Sequence, residues 1–211
     1  MGTASAASRR RPAVAARRAK VRRRRRALVF GLLAVLGALL VIGLHPLKHA
    51  VEEITLPLRH EDIIRQQAHD KHLDPALVAA VIYQESKFRD RTSSAGARGL
   101  MQITPDTARF IAKTSGGIRF TLADLGTPQI NIAYGTWYLR WLMQHYQGNT
   151  TLAVAAYNAG FNHVDRWVRG AGGPDRFRAS EIPFPETRNY VKQVLERRKD
   201  YARRYSRELG L

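Results

Sequence analysis

A mainly α-helical domain behind one membrane-spanning helix is what this sequence predicts, and three observations predict it. From His60 onward apolar residues recur at three- and four-residue spacing, with no period-2 run of strand length. Helix-start signals punctuate that region: Asp74-Pro75 and Thr104-Pro105-Asp106 each join a capping side chain to a proline suited to the first helical position. Ahead of it, "ALVFGLLAVLGALLVIGL" runs through residues 27–44 without a charge.

The 211-residue chain has a formal net charge of +18, and much of the surplus sits at one end. Residues 1–26 hold eleven Lys/Arg and no acid. As a helix the apolar run that follows is ~27 Å long, near the low end for crossing a bilayer. No polar face interrupts it, which sets it apart from a buried core helix. It is also long for a signal-peptide core, and "HPLKHAVEE" offers no small-x-small cleavage site. The arginine block before the span places the N-terminus in the cytoplasm and the rest of the chain across the cytoplasmic membrane. The expected order is a basic cytoplasmic tail (1–26), a single span (27–44), a stalk (45–58) and a catalytic domain (59–211). The tail lacks interleaved aromatics, so attraction to anionic lipid explains it better than binding to nucleic acid. The chain has no cysteine, which excludes disulfides, thiolate chemistry and a lipid-modified cysteine after the span.

Along the domain, "EDIIRQQAHDKH" predicts a polar helix with a narrow apolar edge, and Asp74-Pro75 opens the next. That second helix fades into "KFRDRTSSAGARG", a loop or short irregular strands. A third helix runs from Thr104-Pro105 to about Thr114 and breaks at Gly116-Gly117. A long one covers 127–148, with Ile132, Tyr138, Leu139 and Leu142 near one face. Thr150 or Thr151 is expected to cap the helix ending at Asn158-Ala159-Gly160. A short helical turn should surround Trp167, and the last helix should extend from about Glu186 to Tyr205. About 150 residues in this pattern suffice for a sizeable core.

One acid breaks the pattern. Val78, Val81 and Ile82 mark an apolar stripe, and Glu85 falls on the same face. Such a residue either bends out to solvent at the helix end or is held as a poorly solvated carboxyl with a raised pKa. Four polar phrases accompany it: "YQES" (83–86), "SSAGARGLMQ" (93–102), "AYNAG" (156–160) and "ETRNYV" (186–191). With "DLGTPQINIAYGTWYL" between them, they resemble the soluble lytic transglycosylase family, lysozyme-like enzymes that cut peptidoglycan, over about residues 60–205.

That resemblance implies a lysozyme-like catalytic domain of the α+β lysozyme superfamily, peptidoglycan glycan strands as partner, and no cofactor. It makes Glu85 the catalytic acid/base and places Ser93, Gln102, Tyr157, Asn158 and Tyr190 around the substrate, Tyr190 with its hydroxyl near the catalytic carboxyl. It implies a single-carboxylate reaction ending in a 1,6-anhydromuramoyl product, the alternatives being a hydrolytic muramidase on the same scaffold or an inactive glycan-binding domain. Each neighbour has a structural alternative: a loop cap for Ser93, a satisfied polar side chain for Gln102, a helix end for Asn158, a helix-face aromatic for Tyr190. Gly96 and Gly99 serve either a close approach to sugar or turn geometry. Thr104 stands where some relatives carry Met. Met101, Trp137 and Trp141 are expected in the core, Asp90 in a loop ion pair, and Glu186 as an acid of its helix's first turn. His69 and His72 share an expected helix face, but two ligands without a third make no metal site.

Overall fold

The computed structural model describes Gly31, Leu36 and residues 55–116 and 121–211. The basic tail, most of the expected span and most of the stalk lie outside the described residues; Gly31 and Leu36 are helical. Among the described residues no helix is long and apolar enough to cross a membrane. The chain divides into two units, Met1–Thr55 and Leu56–Leu211. The second holds the helices α1 (Glu61–Asp70), α2 (Pro75–Ser86), α3 (Pro105–Ser115), α4 (Pro128–His145), α5 (Thr150–Ala159), α6 (Phe161–Gly170) and α7 (Pro185–Arg204). Short 3-10 turns at Leu122–Gly126 and Ala179–Glu181 precede α4 and α7. The architecture is mainly helical, as the periodicity predicts.

Two helices are apolar nearly all round and form the centre. Ala76 through Ile82 of α2 and Leu152 through Ala156 of α5 are all buried. α7 packs on both. The start of α2 is fixed by Asp74, whose carboxylate accepts from the Ala76 N–H at 2.8 Å. The same carboxylate takes an ion pair from Arg198 of α7. Farther along, Gln84 donates to Gln193 at 2.7 Å, and the Arg197 guanidinium lies 5.1 Å from the Tyr83 ring centre. These contacts fix α7 along α2, which decides where the side chains at the end of α2 point.

The end of α7 also holds the segment before α1. Tyr201 and Tyr205 donate to the carbonyls of Pro57 and Leu56 at 2.6 and 2.7 Å. Leu56 is buried, so the compact unit takes in residues assigned to the stalk and begins at Leu56, not at 59.

Other boundaries differ for local reasons. Asn149, not Thr150 or Thr151, caps α5, accepting from the Leu152 N–H at 3.1 Å. α6 is a full helix where only a short turn was expected: Gly160, at φ 85°, turns the chain after α5, and Phe161, Val164 and Val168 then pack at helical spacing. α1 stops at Asp70 and His72 lies beyond it at φ 52°, so His69 and His72 share no helix face. Between α2 and α3 the chain makes isolated antiparallel bridges, Thr92 with Arg98 and Arg98 with Ile103.

Candidate active site

α2 delivers Glu85 in its last turn and then ends abruptly. Lys87 and Phe88 both take left-handed backbone angles, φ 53° and 59°, with Phe88 buried. Left-handed geometry is uncommon in residues with a Cβ and persists where packing holds it. Here it turns the chain away within two residues of Glu85, leaving that side chain partly exposed at a helix end. Across from it, α7 presents Tyr190, whose hydroxyl donates to the Glu85 carboxylate at 2.6 Å. Arg91 reaches back from the loop and donates to the Glu85 main-chain carbonyl at 2.6 Å.

The carboxyl sits in a balance of opposing effects. Burial, the largest, disfavours its charged form and raises its pKa to about 7. The Tyr190 hydrogen bond and the Arg91 charge pull in the other direction. Burial, with the nearby Glu85 charge, holds the phenols of Tyr157 and Tyr190 protonated well above the ordinary tyrosine value. Near neutrality the site therefore offers a carboxyl able to lose or take a proton beside two hydroxyls that keep theirs.

The remaining expected residues divide into two groups. Tyr157 of α5 donates to the Met101 carbonyl at 3.0 Å, tying α5 to the loop. Next to it, the Asn158 Oδ1 accepts from the Thr187 hydroxyl at 2.7 Å, one turn before Tyr190 on α7. Tyr157 lies close enough to Glu85 for that charge to act on its phenol, while Asn158 joins α5 to the start of α7. Ser93 and Gln102 brace the loop. The Ser93 hydroxyl oxygen accepts from the Ala97 N–H at 3.0 Å, and the Gln102 amide donates to the carbonyls of Gly99 at 2.8 Å and Arg91 at 3.0 Å. Arg91, rather than pairing with exposed Asp90, is drawn into the Glu85 end of α2.

Residues 62–179 match the sequence model of the Transglycosylase SLT domain. The chain belongs to that family. A soluble lytic murein transglycosylase of Salmonella typhimurium is 38% identical over 152 residues, covering 68% of this chain and 23% of the relative. A membrane-bound lytic murein transglycosylase F of Alcanivorax borkumensis is 32% identical over 141 residues, covering 62% and 28%. Among solved structures, the 70 kDa soluble lytic transglycosylase of Escherichia coli superposes with a TM-score of 0.67 at 34% identity, over 72% of this chain and 25% of that one. The complex of a 70 kDa soluble lytic transglycosylase with bulgecin A gives the same score over 74% and 26%. The chain spans about a quarter of the length of the relatives it matches.

Within this SLT domain, sequence reasoning passed over Asn131 of α4. It is fully buried, accepts from the Met101 N–H at 2.7 Å and donates to the carbonyls of Arg98 and Leu125, both at 2.9 Å. The signal was available: like Glu85, it is a polar residue beside an apolar stripe, immediately before Ile132. Asn131 also explains Gly99. A Cβ there would lie 2.2 Å from the Asn131 amide nitrogen and 2.5 Å from the Leu125 carbonyl, at φ +75°. The close approach at Gly99 is made by the protein itself. Met101 is fully buried, and Trp141 packs among Phe110 and Phe161 at 4.9 and 5.1 Å.

Proposed function

We propose that this protein is a membrane-anchored peptidoglycan lytic transglycosylase that cuts the β-1,4 bond between N-acetylmuramic acid and N-acetylglucosamine. Glu85 carries the reading: its carboxyl lies 2.6 Å from the Tyr190 hydroxyl, with a pKa raised to about 7. Near neutral pH a large fraction is protonated and can give its proton to the glycosidic oxygen as the bond to C1 breaks. The carboxylate left behind is stabilised by the Tyr190 hydrogen bond and the Arg91 charge. It then takes the proton of the C6 hydroxyl as that oxygen bonds to C1, closing the 1,6-anhydro ring and restoring the acid. The nucleophile is tethered to the reacting sugar, so its effective concentration is high and no water is consumed.

Proton transfer and ring closure need no cofactor. The names of the relatives support murein as the substrate, and the membrane-bound relatives support attachment. The basic tail and apolar run support a single pass through the cytoplasmic membrane, with the catalytic domain outside. The test is the mass of muropeptides released from purified peptidoglycan by the full-length chain in detergent. Cyclised ends are one water lighter than hydrolysed ends, and Glu85→Gln should lower their formation by at least about 10²-fold. Products carrying the added water, or a Glu85→Gln variant with parental rate, would overturn the mechanism.

A further inference from the structure

α7 has two unlike faces. Thr187, Tyr190, Val191, Val194 and Tyr201 are buried against the domain. The opposite side is exposed and basic. Arg188, Lys192, Lys199 and Arg203 fall at helical spacing in a single row along most of the helix, and Glu196 is the one acid in it. Arg197 and Arg198, turned toward the domain, meet the Tyr83 ring and Asp74. The side chains of Arg188, Lys192 and Lys199 make no ion pair among the described residues, and Arg203 has only Asp200, on the same helix, at 2.9 Å. Like charges four residues apart, as in Arg188 with Lys192 and Lys199 with Arg203, weaken a helix. A row of this kind serves solvation or an anionic partner, and the path of the chain decides between them.

Tyr201 and Tyr205, at the end of the same helix, hold the carbonyls of Pro57 and Leu56. Only residues 45–55 separate Leu56 from the apolar run at 27–44. A segment of that length reaches at most about 40 Å fully extended, and α7 is itself ~30 Å long. We propose that the basic face of α7 lies on the anionic headgroups of the membrane that the apolar run enters. This inference rests on the proposed anchoring and adds to it a seat for the domain. Each lysine or arginine close to an anionic leaflet is attracted to it, and so short a tether holds the row at a high effective concentration there. Tyr190 leaves α7 on the buried side, where it bonds to Glu85, so lipid on the basic side leaves the Glu85 site uncovered.

The experiment reads contact with lipid and does not depend on turnover. The chain has no cysteine, so one introduced cysteine takes a fluorescent label at a single place. Asn189→Cys, exposed beside the row, is compared with Thr114→Cys, exposed on α3. Each full-length protein is reconstituted into vesicles of phosphatidylcholine, or of equal parts phosphatidylcholine and phosphatidylglycerol, containing a lipid with a nitroxide on its headgroup. Quenching of the Asn189→Cys label should be at least about twofold stronger in the anionic vesicles than in the neutral ones, and the Thr114→Cys label should show no such difference. About 0.5 M NaCl should remove the excess, and so should changing Arg188, Lys192, Lys199 and Arg203 together to glutamine. In detergent that variant should keep kcat on soluble glycan strands within about twofold of the parent, which shows that the domain is folded. Equal quenching in the two vesicle types, or an excess that survives salt, overturns the seat. An excess missing on lipid, with salt-sensitive retention on purified peptidoglycan that the four substitutions abolish, overturns it in favour of a wall-facing surface. Release of the parent from the vesicles by carbonate refutes the anchor and this inference with it, whereas retention without quenching refutes the inference alone.

Discussion

At the scale of single residues, Glu85 and Tyr190 make a testable pair. The Tyr190 hydroxyl bonds to the carboxylate and lowers a pKa that burial raises. Tyr190→Phe removes that bond and should move the alkaline limb of the pH–rate profile upward from its position near 7, measured as kcat/KM on soluble glycan strands. An unmoved limb would mean that the hydroxyl does not tune the acid. Stability carries the same signature. A carboxyl raised from 4.5 to about 7 binds more protons folded than unfolded across that interval. Stability should therefore fall as pH rises from about 4.5 to about 7, by at most on the order of 3 kcal/mol, less whatever the residue's remaining exposure screens. Glu85→Gln should flatten that limb and melt higher than the parent at pH 8. The stripe alone left Glu85 open between an acid bent out to solvent and a held carboxyl, and the four polar phrases around it favoured the second. Its surroundings were less legible, since nothing in the sequence says that Arg91 turns back to the Glu85 carbonyl or that Lys87 and Phe88 adopt left-handed angles.

At the scale of elements, the loop between α2 and α3 is held from behind by α4. Asn131 makes three hydrogen bonds to main-chain groups of Arg98, Met101 and Leu125, and Tyr157 closes the other side on the Met101 carbonyl. Asn131→Ala would leave a buried N–H without its partner and free two carbonyls. The expected cost is about 2–4 kcal/mol, read as a lowered urea midpoint at unchanged slope. Because the loop braces the Glu85 end of α2, kcat of the folded protein should also fall. A loss below about 0.5 kcal/mol would show that water or a neighbour replaces the amide. Helices opened by proline were readable because that residue type fixes its own φ. The α5 boundary was not: three successive polar residues, Asn149, Thr150 and Thr151, can each cap, and packing selects Asn149. α6 was missed for the opposite reason, since its core-facing positions Phe161, Val164 and Val168 are spread through a charged stretch that carries little propensity of its own.

At the scale of the whole molecule, two regions of opposite character share one chain. Residues 1–26 carry eleven basic side chains and no acid; residues 27–211 hold 24 basic and 17 acidic ones. A dense basic block before an apolar run resists transfer across the membrane, whereas the domain that follows has no comparable block at its entry. The proposed topology therefore leaves the tail in the cytoplasm and puts the Leu56–Leu211 unit outside, still covalently attached to the span. On the proposed attachment, the domain would meet only the strands nearest the membrane, at a raised local concentration. Two measurements on the native full-length chain check this. Protease added to intact spheroplasts should remove the domain, and carbonate washing of the membranes should leave it in the pellet. Replacing the five arginines at 22–26 with glutamine should reduce the exported fraction in favour of mixed orientations. Full protection in spheroplasts, or a soluble form with an N-terminus near residue 51, would mean that the apolar run does not anchor the domain, and the confinement argued for it would be lost.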